Sequence, residues 1–224
     1  MEEPSQMSAT VVDRGVAQAP GSVPFVNLEE LTVGGLPEFA DRATLLQSVA
    51  LLAEAVRLAT GQVDKDVIDP LGLAASFRST LTFGSINQEH LSEHDPEWMS
   101  AVILREPGGL PQIAVERSDG PYRRRFSLVH EIAHLLIAAP DALVVDARRP
   151  LKRPKGDLDY FNQQPREYFA DAFAHMFLMP SYVFDPLVEA GKTDEQISSR
   201  LKVSRSTVFN RRQYRDLILA GRTS

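Results

Sequence analysis

His130-Glu131-Ile132-Ala133-His134 sets two imidazoles around a carboxylate within five residues of an apolar stretch. On an α-helix, residues four apart lie about 40° apart around the axis and about 6 Å apart along it. Two imidazoles so placed can close on one tetrahedral metal ion, the geometry that zinc prefers. Glu131 then stands beside the ion's open position, where it can take a proton from water. The structural alternative makes His130 and His134 hydrogen-bonded interior histidines.

A second pattern competes with the first. His90-Leu91-Ser92-Glu93-His94 reads H-x-x-E-H, the same ligand set reversed. It lies in a polar run, and the Asp95-Pro96 step that follows disfavours helix at Asp95. We read it as a solvated loop.

The elements around His130 can hold a rigid site. Pro121 opens a helix after the Asp119-Gly120 turn, and the segment runs without a breaker to Pro140. Phe126, Val129, Ala133, Leu136 and Ala139 fall at spacings of three or four, a core-facing stripe beside both histidines. A catalytic zinc needs a third protein ligand. Residues 164–180 supply a second apolar, aromatic-rich helix, with Pro165 in its first turn and Pro180 at its end. Glu167 and Asp171 share one face of it, and burying two carboxylates there without a cation would be costly. With a metal, Glu167 is a ligand and Asp171 accepts the outer N–H of a liganding histidine. The alternative puts both acids on the solvent face.

These residues resemble a known family. H-E-I-A-H followed by E-x-x-A-D-x-F-A and L-M-P is similar to the ImmA/IrrE metallopeptidases of gluzincin type. The matching positions are His130, Glu131, His134, Glu167, Ala170, Asp171, Phe173, Ala174, Leu178, Met179 and Pro180. Arg125-Phe126-Ser127 matches the R-F-[ST] entry to the first helix, and the likeness extends over roughly residues 69 to 217. It implies that His130, His134 and Glu167 bind Zn²⁺ and that Glu131 is the general base. It also implies a bacterial intracellular endopeptidase that cleaves a partner repressor in phage-like, mobile-element or stress-response systems. His175 is a position that the pattern does not fix, and we expect it to have a packing or surface role. The basic, proline-broken stretch DARRPLKRPKGDLD, between the two motifs, reads as an exposed loop.

The chain has 224 residues, 43% of them hydrophobic, enough for a full core in one main domain. It has no cysteine, which excludes a disulfide framework and a cysteine-ligated zinc ribbon. Neither a signal-peptide pattern nor a bilayer-length apolar run is visible, so a cytoplasmic location with no membrane partner is expected. Residues 1–24 mix small, polar and proline residues without a period and read as a disordered extension. The peptidase part is expected over 25–192. Within it, Asp41 caps a helix to Gly61 with an apolar stripe of Leu45, Val49, Leu52, Val56 and Ala59. A short helix begins at Asp69-Pro70, and a strand-like stretch, STLTFGSI, follows. Two strands then flank Pro107-Gly108-Gly109 as a hairpin. Either Ala101–Arg105 or Gln112–Glu116 is a candidate sheet edge that could take up substrate as an added strand.

Residues 193–224 read as a helix-turn-helix-like extension, with a capping box at Thr193–Gln196 and a second helix capped by Ser204. This tail has seven Lys or Arg against three acids, in a chain of net charge −6. Arg205, Arg211, Arg212 and Arg215 are its candidate DNA or partner contacts. A structural or repressor-docking role is favoured over DNA binding.

The expected fold is α+β: a zincin-like core of a small sheet plus the two motif-bearing helices, extended by the carboxy-terminal pair. The expected activity is zinc-dependent peptide hydrolysis, although two histidines and a carboxylate also suit Mn²⁺ or Fe²⁺. The alternatives are a non-proteolytic helix-turn-helix regulator and a toxin–antitoxin-associated protein with a structural metal site. For the oxyanion, Tyr122, Tyr160, Tyr168 and His175 are the candidates.

Overall fold

Asp41 starts the first helix, α1 (Arg42–Ala59), by accepting a hydrogen bond from the Thr44 amide at 2.9 Å. The computed structural model describes residues 41–86, 99–138, 144–148, 161–162 and 164–221. Leu45, Leu46, Val49, Ala53 and Val56 of α1 are buried, and the helix stops at Thr60 before Gly61 turns left-handed at φ 64°. The short helix α2 (Pro70–Ser76) leads into β1 (Thr80–Gly84).

Strands β2 (Ala101–Arg105) and β3 (Gln112–Glu116) form the expected antiparallel hairpin. Its turn runs through Pro107 and Gly108, with Gly108 at φ 69° and the Gly109 amide bonded to the Glu106 carbonyl at 2.9 Å. Proline then a positive-φ glycine is the chemistry of a type II turn. A fourth strand, β4 (Val144–Arg148), gives the order β1-β3-β2-β4, with β1 parallel to β3 and the other pairs antiparallel. Both hairpin strands are therefore interior, and among the described residues the edges of this sheet are β1 and β4. This corrects the expectation that a hairpin strand forms the open edge. It also shortens the expected loop, because residues 146–148 belong to β4.

Helix α3 (Pro121–Ile137) packs on β2, β3 and β4, with Pro121 in its first turn. Every residue from Phe126 to Ile137 is buried, because α4 (Pro165–Leu178) covers the side that faces away from the sheet. Helix α4 is buried from Tyr168 to Leu178 and also packs against α1. Phe169, Phe173 and Phe177 stack along it with centroid separations of 6.4 and 5.6 Å. Two buried arginines tie down its carboxy-terminal end. Arg57 of α1 donates to the Phe177 carbonyl at 2.8 Å, and Arg211 donates to the Met179 carbonyl at 3.0 Å.

Helix α5 (Ser181–Glu189) follows at once, then α6 (Asp194–Leu201) and α7 (Arg205–Gly221). The Thr193–Gln196 capping box is formed, and Ser204 caps α7 by accepting from the Thr207 amide at 3.1 Å. Val208, Tyr214 and Ile218 of α7 join the same apolar core as α1 and α4. No described helix is long and apolar enough to cross a membrane.

Candidate metal centre

Helices α3 and α4 run past each other so that residues four apart meet as rungs. Phe126 lies against His175 with ring centroids 4.9 Å apart, His130 meets Asp171, and His134 meets Glu167. At the last two rungs, His130, His134 and Glu167 bring one ligand atom each within 4.8 Å of one another. His130 Nε2 is 3.1 Å from His134 Nε2 and 3.3 Å from Glu167 Oε2, and His134 Nε2 is 3.4 Å from Glu167 Oε1. Ligand atoms about 2.05 Å from a tetrahedral ion stand about 3.3 Å apart. The His130–His134 edge is close to that spacing, the two Glu167 distances run to different carboxylate oxygens, and the donor set suits a catalytic zinc with one position left open.

The surroundings fix the donors. His130 turns its Nδ1 to Asp171 Oδ1 at 3.0 Å, which leaves Nε2 for the shared point. Asp171 is fully buried, and its backbone carbonyl accepts from His175 Nδ1 at 2.6 Å. Glu131 is buried in the same helical turn as both histidines. Glu167 is 25% exposed against 1% for each histidine, so solvent reaches the ligand atoms from its side. Burial pushes the Glu167 carboxyl up, but the His130 hydrogen bond and the fields of His130 and His134 outweigh it. The carboxyl is held below its ordinary value. A cation at the shared point favours the same ionised form.

Among the other candidates, the arrangement differs from expectation. Arg211 is almost fully buried, donating to the Met179 carbonyl and to Ser181 Oγ at 3.0 Å, with its guanidinium 4.8 Å from the Phe184 ring centre. It does not present itself to DNA, because backbone acceptors and an aromatic face hold it inside. Arg212 pairs with Asp194 at 2.6 Å, Arg215 with Asp185 and Glu189 at 3.2 and 3.1 Å, and Arg205 with Glu195. These ion pairs offset much of the positive field expected of the tail. Of the oxyanion candidates, Tyr168 is fully buried against Phe161 and Tyr214. His175 is buried between Phe126 and Tyr214, as a packing role requires. Tyr122 is at the surface. Tyr160, the His90–His94 pattern and residues 1–24 lie outside the described residues.

Two roles were not read from the sequence. Arg125, noted only as part of a motif, donates to the Lys202 carbonyl at 2.6 Å and so ties α3 to the α6–α7 turn. Arg57 holds α4 from α1, although its place on the apolar side of that helix was a usable signal.

A family model described as Peptidase_M78: IrrE N-terminal-like domain matches residues 85–212, more than half of the chain. No curated protein matches it.

Proposed function

The chain belongs to the IrrE N-terminal-like family of metallopeptidases, and from that premise we propose that it is a zinc-dependent endopeptidase acting on a partner protein. The observation that carries this reading is the meeting of His130, His134 and the Glu167 carboxylate, one ligand atom each within 4.8 Å of one another, with Glu131 buried in the same helical turn. A divalent ion held by these three would polarise the scissile carbonyl and acidify a water molecule. Glu131 takes the proton from that water as it attacks, and then passes it to the departing amide nitrogen. Asp171 keeps His130 in the tautomer with Nε2 free of a proton. Zn²⁺ is favoured by ligand type, and Mn²⁺ or Fe²⁺ also fits two imidazoles and a carboxylate.

The proposed substrate is a helix-turn-helix repressor, cut to relieve repression in a phage-like, mobile-element or stress-response system in the cytoplasm. Family kinship supports this choice. The α6–α7 unit is better suited to structure or docking than to reading DNA, since its arginines are buried or paired with acids. Glu131→Gln tests the whole reading. Parent and variant should both hold about one zinc per chain, and the variant should lose cleavage of a co-expressed repressor by about 10²–10⁴-fold. A variant that still relieves repression would replace the peptidase with a regulator that works without cutting.

A further inference from the structure

Arg211 is almost fully buried, and its Nε and Nη2 are spent on the Met179 carbonyl and on Ser181 Oγ. Its Nη1 is buried as well and has no hydrogen-bond partner. The Phe184 ring lies 4.8 Å from the guanidinium carbon and supplies no acceptor oxygen. Burial lowers the Arg211 pKa only to about 10, so the group is charged at neutral pH. Leaving a buried, charged donor without an acceptor is costly, and a ligand that brings one would remove the cost.

Arg211 lines a cleft of about 340 Å³ between α1, α5 and α7. The charged groups along this cleft are two of each sign: Arg211 and Arg215, Glu54 and Asp185. Arg215 is engaged by Asp185 at 3.2 Å and by Glu189 at 3.1 Å, so one cation and one carboxylate remain. Glu54, half-buried on α1, acts on the Arg211 charge through space. Its carboxylate makes no ion pair with Arg211 or with any other described residue. The rest of the lining is largely apolar: Leu51 and Leu219 are exposed, Ala50 is half-buried, and Ile218 is buried. The volume falls at the lower end of small-ligand sites, roughly 300–1,000 Å³.

We propose that this cleft binds a free apolar α-amino acid, its carboxylate on Arg211 Nη1, its ammonium on Glu54 and its side chain against Leu51, Ile218 and Leu219. The zwitterion supplies both missing partners at once. A simple anion would face the Glu54 and Asp185 carboxylates, and a simple cation would leave Nη1 without an acceptor. Because Nη1 is shielded from water, a bond to it is little screened. The site stands apart from the metal centre, since Arg211 holds the Met179 end of α4, about 18 Å along the helix axis from Glu167. Its occupation does not depend on peptide hydrolysis.

The test is a titration of the full-length, ¹⁵N-labelled protein with leucine, read by amide chemical shifts. Saturable shifts centred on Gln47, Leu51, Glu54 and Leu219 are expected. N-acetyl-leucine, which lacks the ammonium, and leucinamide, which lacks the carboxylate, should each bind about tenfold or more weakly. Glu54→Gln should weaken leucine by a similar factor and leave N-acetyl-leucine unchanged, because only the ammonium meets Glu54. All of these comparisons keep Arg211 in place, so its hold on α4 does not enter. Leucine shifts centred on His130 and His134 instead would mean chelation of the metal, and would overturn the proposal. N-acetyl-leucinamide binding as tightly as leucine would also overturn it, by assigning the cleft to a peptide segment of a partner. So would the absence of saturable shifts, or equal leucine affinity in Glu54→Gln and the parent.

Discussion

Asp171 Oδ1 lies 3.0 Å from His130 Nδ1, on the side of the imidazole opposite the atom that meets His134 and Glu167. The carboxylate is fully buried, so its charge acts on the ring with little solvent screening. A histidine that donates through Nδ1 keeps its lone pair on Nε2, and the partnership raises its basicity as a ligand.

Asp171→Asn keeps the shape and removes the charge. Zinc affinity, measured by competition with a chromophoric chelator, should fall about 10–100-fold while the fold persists. Unchanged affinity would mean that Asp171 orients nothing.

Zinc binding should appear as folding stability. At a free zinc concentration of 100 times Kd, the parent gains about 2.7 kcal/mol. For a chain of this size that raises Tm by roughly 5–10 °C. His134→Ala and Glu167→Ala, which remove a ligand each, should show no such increment in parallel melts. An equal rise in all three proteins would place the zinc elsewhere.

Arg211→Met tests the arginine that was expected to face DNA. The substitution preserves an unbranched apolar stem but removes the donors to Met179 and Ser181. A loss of about 1–3 kcal/mol is expected in urea unfolding, with no change in duplex DNA binding. Burial lowers the Arg211 pKa to about 10 from 12.5. Between those values the unfolded chain holds the proton and the folded chain does not, so the parent gains stability as pH rises through about 10. The parent-to-variant gap should therefore widen from pH 9 to 11.

Asp41→Ala removes the cap of α1. The backbone hydrogen bond from Thr44, and then its hydroxyl, hold the Asp41 carboxyl below its ordinary value of 3.8. A depressed carboxylate contributes stability that is complete above that value and is lost as pH falls through the folded one. The variant should melt below the parent at pH 7, and the difference should close in strong acid. A gap that persists there would assign the effect to something other than the charge.

The site was legible because local rules govern most of it. The i, i+4 spacing of His130 and His134 is set by one helix, and Pro121, Pro165 and Pro180 punctuate the two elements that matter. Glu167 and Asp171 could be assigned because burying both without a cation is too costly. What escaped the sequence depends on partners distant along the chain. The five residues of β4 become a strand by pairing with β2 some forty residues earlier. That pairing also decides that the hairpin is interior. Pro180 reads as the end of one helix, and the helix that follows it at once, with Pro186 inside, was not anticipated. Arg211 lies on the same helical face as Val208, Tyr214 and Ile218, so its burial was legible in the spacing, whereas the Met179 carbonyl and the Phe184 ring that receive it were not.

The rungs between α3 and α4 impose a rule on length. Phe126, His130 and His134 ascend in fours while His175, Asp171 and Glu167 descend in fours. Deleting one residue between rungs turns everything beyond it by about 100° about the helix axis. The triad would then be broken with every ligand still present in the chain. Insertions and deletions are therefore excluded from both motifs, whereas the stretch joining the two helices is not bound by that count. In a deletion scan, the outline of the centre would appear as two short forbidden windows, one in each helix.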